Sequence, residues 1–513
     1  MALYPDDWAA ETPDKPALVM AGSGRSLTYR ELNDRSIQVA RHLRDVVGLE
    51  VGDAIAVVSD NVPETFEIYW AALRSGLYVT FVNSHLTAPE ADYIIGDCGA
   101  RVLFVSAGLA SLGEQLTTDV KERLAFGGPV AGYASYEDAR DAQSAEPLPE
   151  QVHGEDMLYS SGTTGRSKGI KKPLPDVTWG EPGYMVPTIF GALYGFGSDT
   201  VYLSPAPVYH AAPLRFMGAI HIHGGTVVMM EKFDAEATLE AIERFRVTHT
   251  QMVPTMFVRL LKLPADVRAR YDVSSVRCIV HAAAPCPVDV KRQIIEWFGP
   301  VVHEYYASTE ANGSTFIDSR EWLAHPGSVG RAAGAGILHI CDELGNDVEP
   351  GVVGTIYFEP ASGERAFTYY NDDAKTQSAQ HPQHPAWTTV GDLGYVDDEG
   401  FLYLTDRASF MIISGGVNIY PQEIEDVFAL HPKVADIGVV GIPDDEMGER
   451  VVAFVQPAPG VETCPALAEE LAAYARDHLA GFKVPREFVF SDDLPRTPTG
   501  KMVKGKLKAA YGA

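Results

Sequence analysis

The chain has 513 residues, enough for several domains with sizeable cores, and its 46% apolar, 21% charged and 10% aromatic residues are typical of a globular protein. Forty-one basic and 69 acidic residues give a formal net charge of −28. A surface this acidic repels phosphate backbones and anionic lipid headgroups, which excludes nucleic-acid binding as the main activity.

The five cysteines are scattered along the chain and form no C-x-x-C pair. This usage indicates a reducing compartment, with buried thiols and without structural disulfides or zinc. The N-terminal residues lack the basic and apolar regions of a signal peptide, and no uncharged stretch is long enough to span a membrane. We therefore expect a cytoplasmic protein. Its oligomeric state is left open, with a homodimer as one alternative.

The first two thirds of the chain alternate predicted helices with predicted strands. Apolar residues at helical spacing indicate the helices, and short apolar runs bounded by turn residues indicate the strands. The predicted elements are a helix around 32–43, a strand over 54–59, a helix over 66–73, a strand over 78–82, a helix after Thr87, strands over 101–105 and 226–231, a helix over 237–247, strands over 249–254 and 275–285, and a helix over 288–298. Such alternation predicts mostly parallel sheets covered by helices on both faces.

Beyond about Pro350, short strands and turns predominate. The segment 354–359 predicts a strand, and 392–407 predicts a hairpin with its turn at 397–400. About a hundred residues after Arg407 then contain strands and a helix of their own. We therefore place a domain boundary near residues 407–410.

The strongest local motif is Tyr159-Ser-Ser-Gly-Thr-Thr-Gly-Arg-Ser-Lys168-Gly169. Glycines let backbone N–H groups wrap around a polyanion, and hydroxyl groups and a lysine complete such a cage. The spacing is not that of a Walker P-loop, and a solvated loop is the alternative. We call residues 160–168 the phosphate loop.

With four further motifs this loop resembles the adenylate-forming enzymes, a superfamily that includes acyl- and aryl-CoA synthetases, peptide-synthetase adenylation domains and firefly luciferase. The resemblance is to the acid–CoA ligase branch and covers nearly the whole chain. The further motifs are Tyr305-Tyr-Ala-Ser-Thr-Glu310, Gly391-Asp-Leu-Gly394 with Asp406-Arg407, Ser414-Gly-Gly-Val-Asn-Ile-Tyr-Pro-Gln-Glu-Ile-Glu425, and Pro495-Arg-Thr-Pro-Thr-Gly-Lys501.

The resemblance implies an α/β fold. It consists of a large N-terminal domain, 1–407, of mostly parallel, helix-covered sheets with a small β-barrel-like portion, and a small mobile α+β C-terminal domain, 408–513. The N-terminal domain would bind ATP and the acid. The C-terminal domain would rotate about a hinge at Ser409, where the family usually has Asp or Lys.

The resemblance also implies roles for individual residues in the attack of a carboxylate on the α-phosphorus of ATP. Thr309 would bond to phosphate, Glu310 would bind Mg²⁺, and Lys501 would reach the α-phosphate and the carboxylate. Asp392 would accept the ribose hydroxyls, supported by Arg407, and Tyr306 would stack on adenine. The remaining nucleotide-binding residues implied are Ser160, Ser161, Gly162, Thr163, Thr164, Gly165, Lys168, Ala283, Ala284, Pro285, Ala307 and Ser308.

The same resemblance implies which residues would contact the acid and which would face the thiol acceptor. His210 would be a catalytic gate near the carboxylate, with a histidine that caps the next helix as the alternative. The acyl pocket would comprise Tyr209, His210, Ala211, Ala212, Tyr305 and Ala307, and the side facing coenzyme A would comprise Ser414, Gly415 and Gly416. The small Ala211 and Ala212 should leave room, and no cation or acid stands where a second charged group of the substrate would be expected. We therefore expect a hydrophobic, extended or bulky monocarboxylate: a medium- or long-chain fatty acid, or an aryl or alicyclic acid.

Two features depart from the usual pattern of the family, and a third has an ordinary structural explanation. Ser167 stands where proline is common, and Lys171-Lys172-Pro173 replaces an apolar-Ser-His segment, which we expect to affect loop dynamics and not activity. The basic tail after Lys501 is expected to be a solvated face, Lys504, Lys506 and Lys508 included.

The sequence thus predicts an ATP-dependent acid–CoA ligase of fatty-acid or lipid metabolism, with ATP, Mg²⁺ and CoA and without a nucleic-acid partner. The alternatives are an adenylating enzyme with another acceptor, such as a carrier protein, and a non-catalytic nucleotide-binding relative.

Overall fold

The computed structural model describes residues 4–159, 167–177, 179–180, 185–332, 336–407, 410–444, 446–496 and 502–512, without the side chains of 185–187 and 406–407. The chain forms two compact units. Unit 1 consists of residues 1–160, 167–252 and 267–279, and unit 2 consists of residues 161–166, 253–266 and 280–513.

The elements up to residue 281 are α1 (Pro5–Glu11), β1 (Pro16–Met20), β2 (Ser26–Thr28), α2 (Tyr29–Arg41) with a π-helical turn (His42–Val46), β3 (Ala54–Val58), α3 (Glu64–Leu73), β4 (Tyr78–Val82), α4 (Ala88–Asp97), β5 (Ala100–Ser106), a 3₁₀ turn (Ala107–Leu109), α5 (Ala110–Gly113), β6 (Glu122–Phe126), β7 (Ala134–Ser135), α6 (Tyr136–Asp141), β8 (Glu155–Asp156), β9 (Leu158–Tyr159), β10 (Gly169–Ile170), α7 (Met185–Tyr194), β11 (Val201–Ser204), α8 (Ala211–Ile222), β12 (Thr226–Met229), α9 (Ala235–Phe245), β13 (His249–Met252), α10 (Pro254–Leu261), α11 (Ala265–Arg268) and β14 (Cys278–His281).

The elements that follow are α12 (Val288–Phe298), β15 (Val302–Ala307), β16 (Ser314–Asp318), α13 (Ser319–Ala324), β17 (Arg331–Ala332), β18 (Gly336–Cys341), β19 (Gly354–Pro360), α14 (Asp373–Ser378), β20 (Asp392–Val396), β21 (Leu402–Arg407), β22 (Ile412–Ser414), β23 (Val417–Ile419), α15 (Pro421–Phe428), β24 (Val434–Asp444), β25 (Gly448–Pro457), α16 (Pro465–His478), a 3₁₀ turn (Gly481–Lys483), β26 (Glu487–Phe490) and α17 (Lys504–Tyr511).

Unit 1 contains two mainly parallel sheets. The first has the strand order β7-β6-β5-β3-β4-β8, in which every neighbouring pair is parallel. In the second, β1 pairs with β12, β12 with β11 and β11 with β13, all parallel, and β2 adds an antiparallel edge. Every residue of β3 and β4 is buried, as expected for strands covered on both faces.

Unit 2 is mainly antiparallel. Strands β15, β16 and β17 form one meander, and β18 to β21 form a four-stranded sheet. Nearer the C-terminus, the order is β23-β22-β25-β24, with β26 parallel to β25. Strands β24 and β25 pack on α15 and α16 through a core that includes Val439, Val455, Phe428 and Leu471.

The structure confirms the predicted mixed α/β class, with parallel sheets in the large N-terminal part and a smaller C-terminal part. The predicted helix over 288–298 has the bounds of α12, and the hairpin predicted over 392–407 is formed by β20 and β21. The boundary at 407/408 stays a prediction. Among the described residues, no helix is long and apolar enough to cross a lipid bilayer.

The prediction of buried thiols is correct for Cys98, Cys278 and Cys341, and Cys286 is half-buried. It is wrong for Cys464, which is exposed because it precedes α16 as the N-cap residue. All five thiols are free.

Candidate active site

The phosphate loop begins and ends in a short two-stranded ladder of unit 1. Strands β9 and β10 are antiparallel, with Tyr159 opposite Gly169 and Leu158 opposite Ile170. The Tyr159 hydroxyl donates to Asp97 Oδ2 over 2.6 Å, and burial with this bond raises its pKa. A Cβ at Gly169 would lie 3.0 Å from the Tyr159 ring, so glycine permits this close pairing. The predicted residues Ser160, Ser161, Gly162, Thr163, Thr164 and Gly165 lie outside the described residues, whereas Lys168 is described and half-buried.

Four charged side chains that sequence reasoning left without a role lie at the base of this loop. Asp156, in β8, is fully buried and accepts two hydrogen bonds from Arg215. Nε donates to Oδ2 over 2.8 Å, and Nη2 donates to Oδ1 over 2.6 Å. We call such a pair of hydrogen bonds from one arginine to one carboxylate a fork. Glu155 and Lys172 complete the group. Burial raises the pKa of Glu155 to about 7, and burial with the neighbouring Arg215 lowers the pKa of Lys172. The unusual Lys171-Lys172 pair was the sequence signal for this group.

His210 lies directly before α8, which begins at Ala211. It occupies the N-cap position, but its side chain makes no capping hydrogen bond, so the alternative of a capping histidine is not supported. Its ring packs against that of the buried Tyr209, with centroids 4.4 Å apart. Ala211 and Ala212 are both half-buried at the start of the helix. His210, the predicted gate, thus lies beside the predicted pocket residues Tyr209, Ala211 and Ala212 at the start of α8.

In unit 2, two predicted nucleotide-binding residues are in direct contact. The Tyr306 hydroxyl, near the end of β15, donates to Asp392 Oδ2 over 2.7 Å. Asp392 begins β20, opposite Arg407 in the backbone register of β21. The Tyr306 ring also packs against Phe358, with centroids 6.3 Å apart. The fold therefore places the predicted adenine and ribose ligands side by side.

Glu310 lies just beyond β15 in a tight turn. The Ala311 N–H donates to the Ser308 carbonyl over 3.1 Å, and Ala311 has a left-handed φ of 53°. The Glu310 carboxylate is buried, and its Oε1 accepts from the Tyr369 hydroxyl at 2.8 Å. Thr309, within the turn, is half-buried. Tyr369 is a functional neighbour that sequence reasoning missed, because 59 residues separate it from Glu310.

The buried carboxylate of Glu310 is a suitable ligand for Mg²⁺. A single carboxylate, completed by phosphate oxygens and water, is the usual protein contribution to a nucleotide-bound magnesium site. No group of three or more acidic, histidine or cysteine residues that could hold a metal ion occurs in the part of the chain that the structure describes.

The predicted adenine-facing segment Ala283-Ala284-Pro285 follows β14. Ala283 has a left-handed φ of 77°, and Ala283 and Pro285 are exposed. Further along the chain, Lys291 of α12 and Glu304 of β15 form a buried ion pair, with Nζ and Oε2 2.5 Å apart. His281 Nε2 lies 3.5 Å from the same Oε2, and burial and the nearby Lys291 lower the pKa of His281.

The side predicted to face coenzyme A is a hairpin turn. Ser414 ends β22, and Gly415 and Gly416 both have left-handed φ values, 58° and 78°. The Gly415 N–H donates to the Met447 carbonyl over 2.8 Å. Both glycines are exposed, so their backbone is accessible to a ligand.

The C-terminal tail corrects one prediction. Lys506 is exposed and Lys508 half-buried, but Lys504 is buried and lies 3.0 Å from Glu425 Oε1. The prediction of a solvated Lys504 is wrong because α17 turns this residue towards α15. Lys501, Ser409 and the side chain of Arg407 lie outside the described residues.

The remaining predicted pocket residues lie on β15. Tyr305 is half-buried, with its ring centroid 6.4 Å from that of Phe316, and Ala307 is the last residue of the strand. Ser308 Oγ donates to Asn312 Oδ1 over 2.8 Å, and Asn312 Nδ2 donates to the Thr388 carbonyl over 3.2 Å. Hydrogen bonds therefore brace the segment that carries Thr309 and Glu310.

Comparisons with known protein families and relatives cover nearly the whole chain. Residues 5–364 match the family model of AMP-binding enzymes, and residues 423–501 match the model of the AMP-binding enzyme C-terminal domain. A feruloyl-CoA synthase of Amycolatopsis sp. is 32% identical, over 97% of this chain and 96% of the relative. An indoleacetate–CoA ligase of Aromatoleum aromaticum is 31% identical, over 94% and 93%, respectively.

Two further similar proteins are a ligase with a different acyl acceptor and a synthetase with bound ligands. A fatty acid–[acyl-carrier-protein] ligase of Streptomyces coeruleorubidus, ScoC, is 30% identical over 98% of this chain and 95% of its own length. The structure of an O-succinylbenzoate coenzyme A synthetase from Bacillus subtilis in complex with ATP and magnesium is similar, with a TM-score of 0.80, 26% identity and 99% coverage of both chains.

Proposed function

Because the chain belongs to the family of AMP-binding enzymes, we propose that it is an ATP-dependent acid–CoA ligase. In this reaction the carboxylate of a hydrophobic monocarboxylic acid attacks the α-phosphorus of ATP, pyrophosphate leaves, and an acyl-adenylate forms. The thiol of coenzyme A then attacks the acyl carbon and AMP leaves. The observation that carries the proposal is the 2.7 Å hydrogen bond between Tyr306 and Asp392, with Tyr306 four residues before Glu310 in the chain.

Tyr306 and Asp392 bind the nucleoside part of ATP. The hydrogen bond fixes the direction of the Tyr306 ring, which offers a face for adenine, and a carboxylate accepts two ribose hydroxyls well because it has two oxygens. Asp392 Oδ2 already accepts one bond from Tyr306. Its additional acceptor lone pairs are the groups that the ribose hydroxyls engage.

Glu310 and Lys501 act on the charge that develops during adenylation. Glu310 is the carboxylate that would hold Mg²⁺, and the bound ion neutralises charge on the phosphate oxygens. Tyr369 keeps the Glu310 carboxylate in one direction. Lys501 would place an ammonium next to the attacking carboxylate and the α-phosphate, where a fixed cation stabilises the transition state.

The acid is hydrophobic. His210 and Tyr209 present a packed aromatic pair, and Ala211 and Ala212 add little volume beside them. The relatives named for ferulate and indoleacetate support an aryl acid, whereas ScoC supports a fatty acid. We propose an aryl or fatty acid as the substrate class, and the experiment below separates the two.

A second candidate acceptor is a carrier protein. The similarity to ScoC, over 98% of this chain, favours this alternative. The exposed Gly415–Gly416 turn would face a phosphopantetheine thiol in either case, because CoA and a carrier protein present the same thiol arm. The adenylation step is common to both candidates.

The test is a pyrophosphate-release assay with ATP, Mg²⁺ and a panel of ferulate, indole-3-acetate, 2-succinylbenzoate and straight-chain fatty acids. We expect release with at least one acid, followed by a thioester when CoA is added. Asp392→Asn, which loses the ribose-binding charge, is the matched inactive control. Adenylate formation without a CoA thioester, but with transfer to a carrier protein, selects the second candidate. Absence of release with every acid overturns the proposal.

A further inference from the structure

The charged group at the base of the phosphate loop, which consists of Glu155, Asp156, Lys172 and Arg215, includes residues from both sides of that loop in the sequence. Asp156 lies three residues before Tyr159, where the loop begins, and Lys172 lies three residues after Gly169, where it has ended. Strand β4 contacts both positions. Glu155 and Asp156 pair with Tyr78 and Val79 of β4 through the main chain. The Lys172 carbonyl accepts from the Tyr78 hydroxyl at 2.6 Å.

The arginine of this group comes from a different element. Arg215 belongs to α8, five residues after His210. Its side chain is 15% exposed, and the side chain of Asp156 is fully buried. The fork therefore joins the strand that leads into the phosphate loop to the helix that begins at the predicted acyl gate.

Stability alone does not account for such a pair. Two buried charges lose their hydration, and apolar side chains of similar volume are often at least as stabilising. A planar guanidinium forked on a carboxylate fixes both the distance and the angle between two elements, which an apolar contact does not. The fork is suited to holding a strand and a helix in one relative position.

We propose that Arg215 is a positioning residue for adenylation, whose fork to Asp156 holds the base of the phosphate loop in register with the helix that begins at His210. The inference rests on the proposed function. The phosphates of ATP and the carboxylate of the acid are then held by elements that share one rigid connection. A displacement of about 1 Å between reacting groups can lower the rate on the order of a hundredfold.

The first test compares two substitutions of half-buried arginines, each of which is paired with a fully buried carboxylate. Arg215→Lys keeps the charge and removes the fork. The matched control is Arg140→Lys in unit 1, since Arg140 lies 3.0 Å from the fully buried Glu67 and belongs to α6, outside the loop and α8. We expect both variants to unfold at a lower temperature. Only Arg215→Lys is expected to raise the KM for ATP and the KM for the acid, by about three- to tenfold each, and to lower kcat by about 10- to 100-fold.

A rescue experiment separates positioning from folding. In Asp156→Glu/Arg215→Lys the longer acid compensates for the shorter cation, so we expect part of the lost kcat to return without a return of the unfolding temperature. Unchanged kinetic constants in folded Arg215→Lys would overturn the inference.

Failure of the proposed function and failure of this inference give different experimental results. Wild-type protein that releases no pyrophosphate with any acid would refute the function. Calorimetry with ATP alone would still test the inference, because Arg215→Lys, but not Arg140→Lys, is expected to weaken ATP binding about three- to tenfold. Equal ATP affinity in the two variants would overturn it.

Discussion

The phosphate loop and the loop that carries Lys501 are built on similar bases. The first is closed by the ladder of β9 and β10. The second is closed by a bridge between Arg496 and Met502, and the Val503 N–H donates to the Pro495 carbonyl over 2.7 Å. Each base also has an arginine forked on an aspartate, Arg215 on Asp156 in unit 1 and Arg496 on Asp436 in unit 2.

The two forks differ in burial. The side chains of Asp156 and Arg215 are 0% and 15% exposed, whereas those of Asp436 and Arg496 are 25% and 23% exposed. Water can replace a lost partner at the second site more readily than at the first. The same two residue types therefore depend more strongly on each other at the first base than at the second.

The largest expected effect is on the free energy of unfolding. Asp156→Asn leaves the buried Arg215 without its partner charge, so we expect a loss of about 3–5 kcal/mol. Asp436→Asn, at the more exposed fork, is expected to cost about 1 kcal/mol. Chemical denaturation followed by circular dichroism measures both. A cost for Asp436→Asn equal to that for Asp156→Asn would remove the distinction between the two bases.

The next effect concerns the chemical group that the second loop carries. We expect Lys501→Ala to slow adenylation on the order of 10²–10³-fold, as for the loss of one fixed donor to the transition state. Pyrophosphate exchange into ATP measures this half-reaction. Lys506→Ala, an exposed lysine of the same tail, is the control and should retain the wild-type rate. An unchanged exchange rate in Lys501→Ala would refute the role of this lysine.

The smallest effect is a dependence of stability on pH at the first base. Glu155 faces Asp156, Lys172 and Arg215, with Tyr69 and Tyr78 beside it, and its pKa of about 7 lies above the ordinary 4.5. Between these pH values the folded chain holds a proton that the unfolded chain has released, so the group's contribution to the free energy of unfolding falls as pH rises.

Glu155→Gln cannot ionise, so we expect it to be more stable than the wild type above pH 7, by about 1–3 kcal/mol, and to lose this advantage towards pH 4.5. Denaturation curves across this range measure the difference. Glu150→Gln, an exposed neighbour in sequence, should follow the wild type at every pH. A difference between Glu155→Gln and wild type that is the same at all pH values would contradict the assignment.

The sequence predicted elements better than it predicted contacts between them. Apolar spacing determined the helix over 288–298 because Val290, Ile294 and Ile295 form one buried face. The motif around Tyr306 and that around Asp392 were each visible, but their hydrogen bond spans 86 residues and joins strands of two different sheets, β15 and β20. No local sequence pattern contains the packing of one sheet against another.

Charged residues were the weakest point of the sequence reasoning. A lysine in a basic tail is usually solvated, yet Lys504 is buried against Glu425, and Lys172 joins Glu155 and Arg215 below the phosphate loop. Burial of a charge depends on partners that are distant in sequence, and Arg215 lies 59 residues from Asp156. Only the folded structure brings such partners together.

The strained turn that contains Glu310 has a consequence for the proposed binding of a nucleotide. Ala311 keeps a backbone conformation that alanine rarely adopts in isolation, so the surrounding structure imposes it. The carboxylate is therefore pre-organised: its conformational entropy is lost when the chain folds and not when the ligand binds. With Glu310 in the role proposed above, part of the affinity for a metal–nucleotide complex would be set when the chain folds, before any ligand arrives.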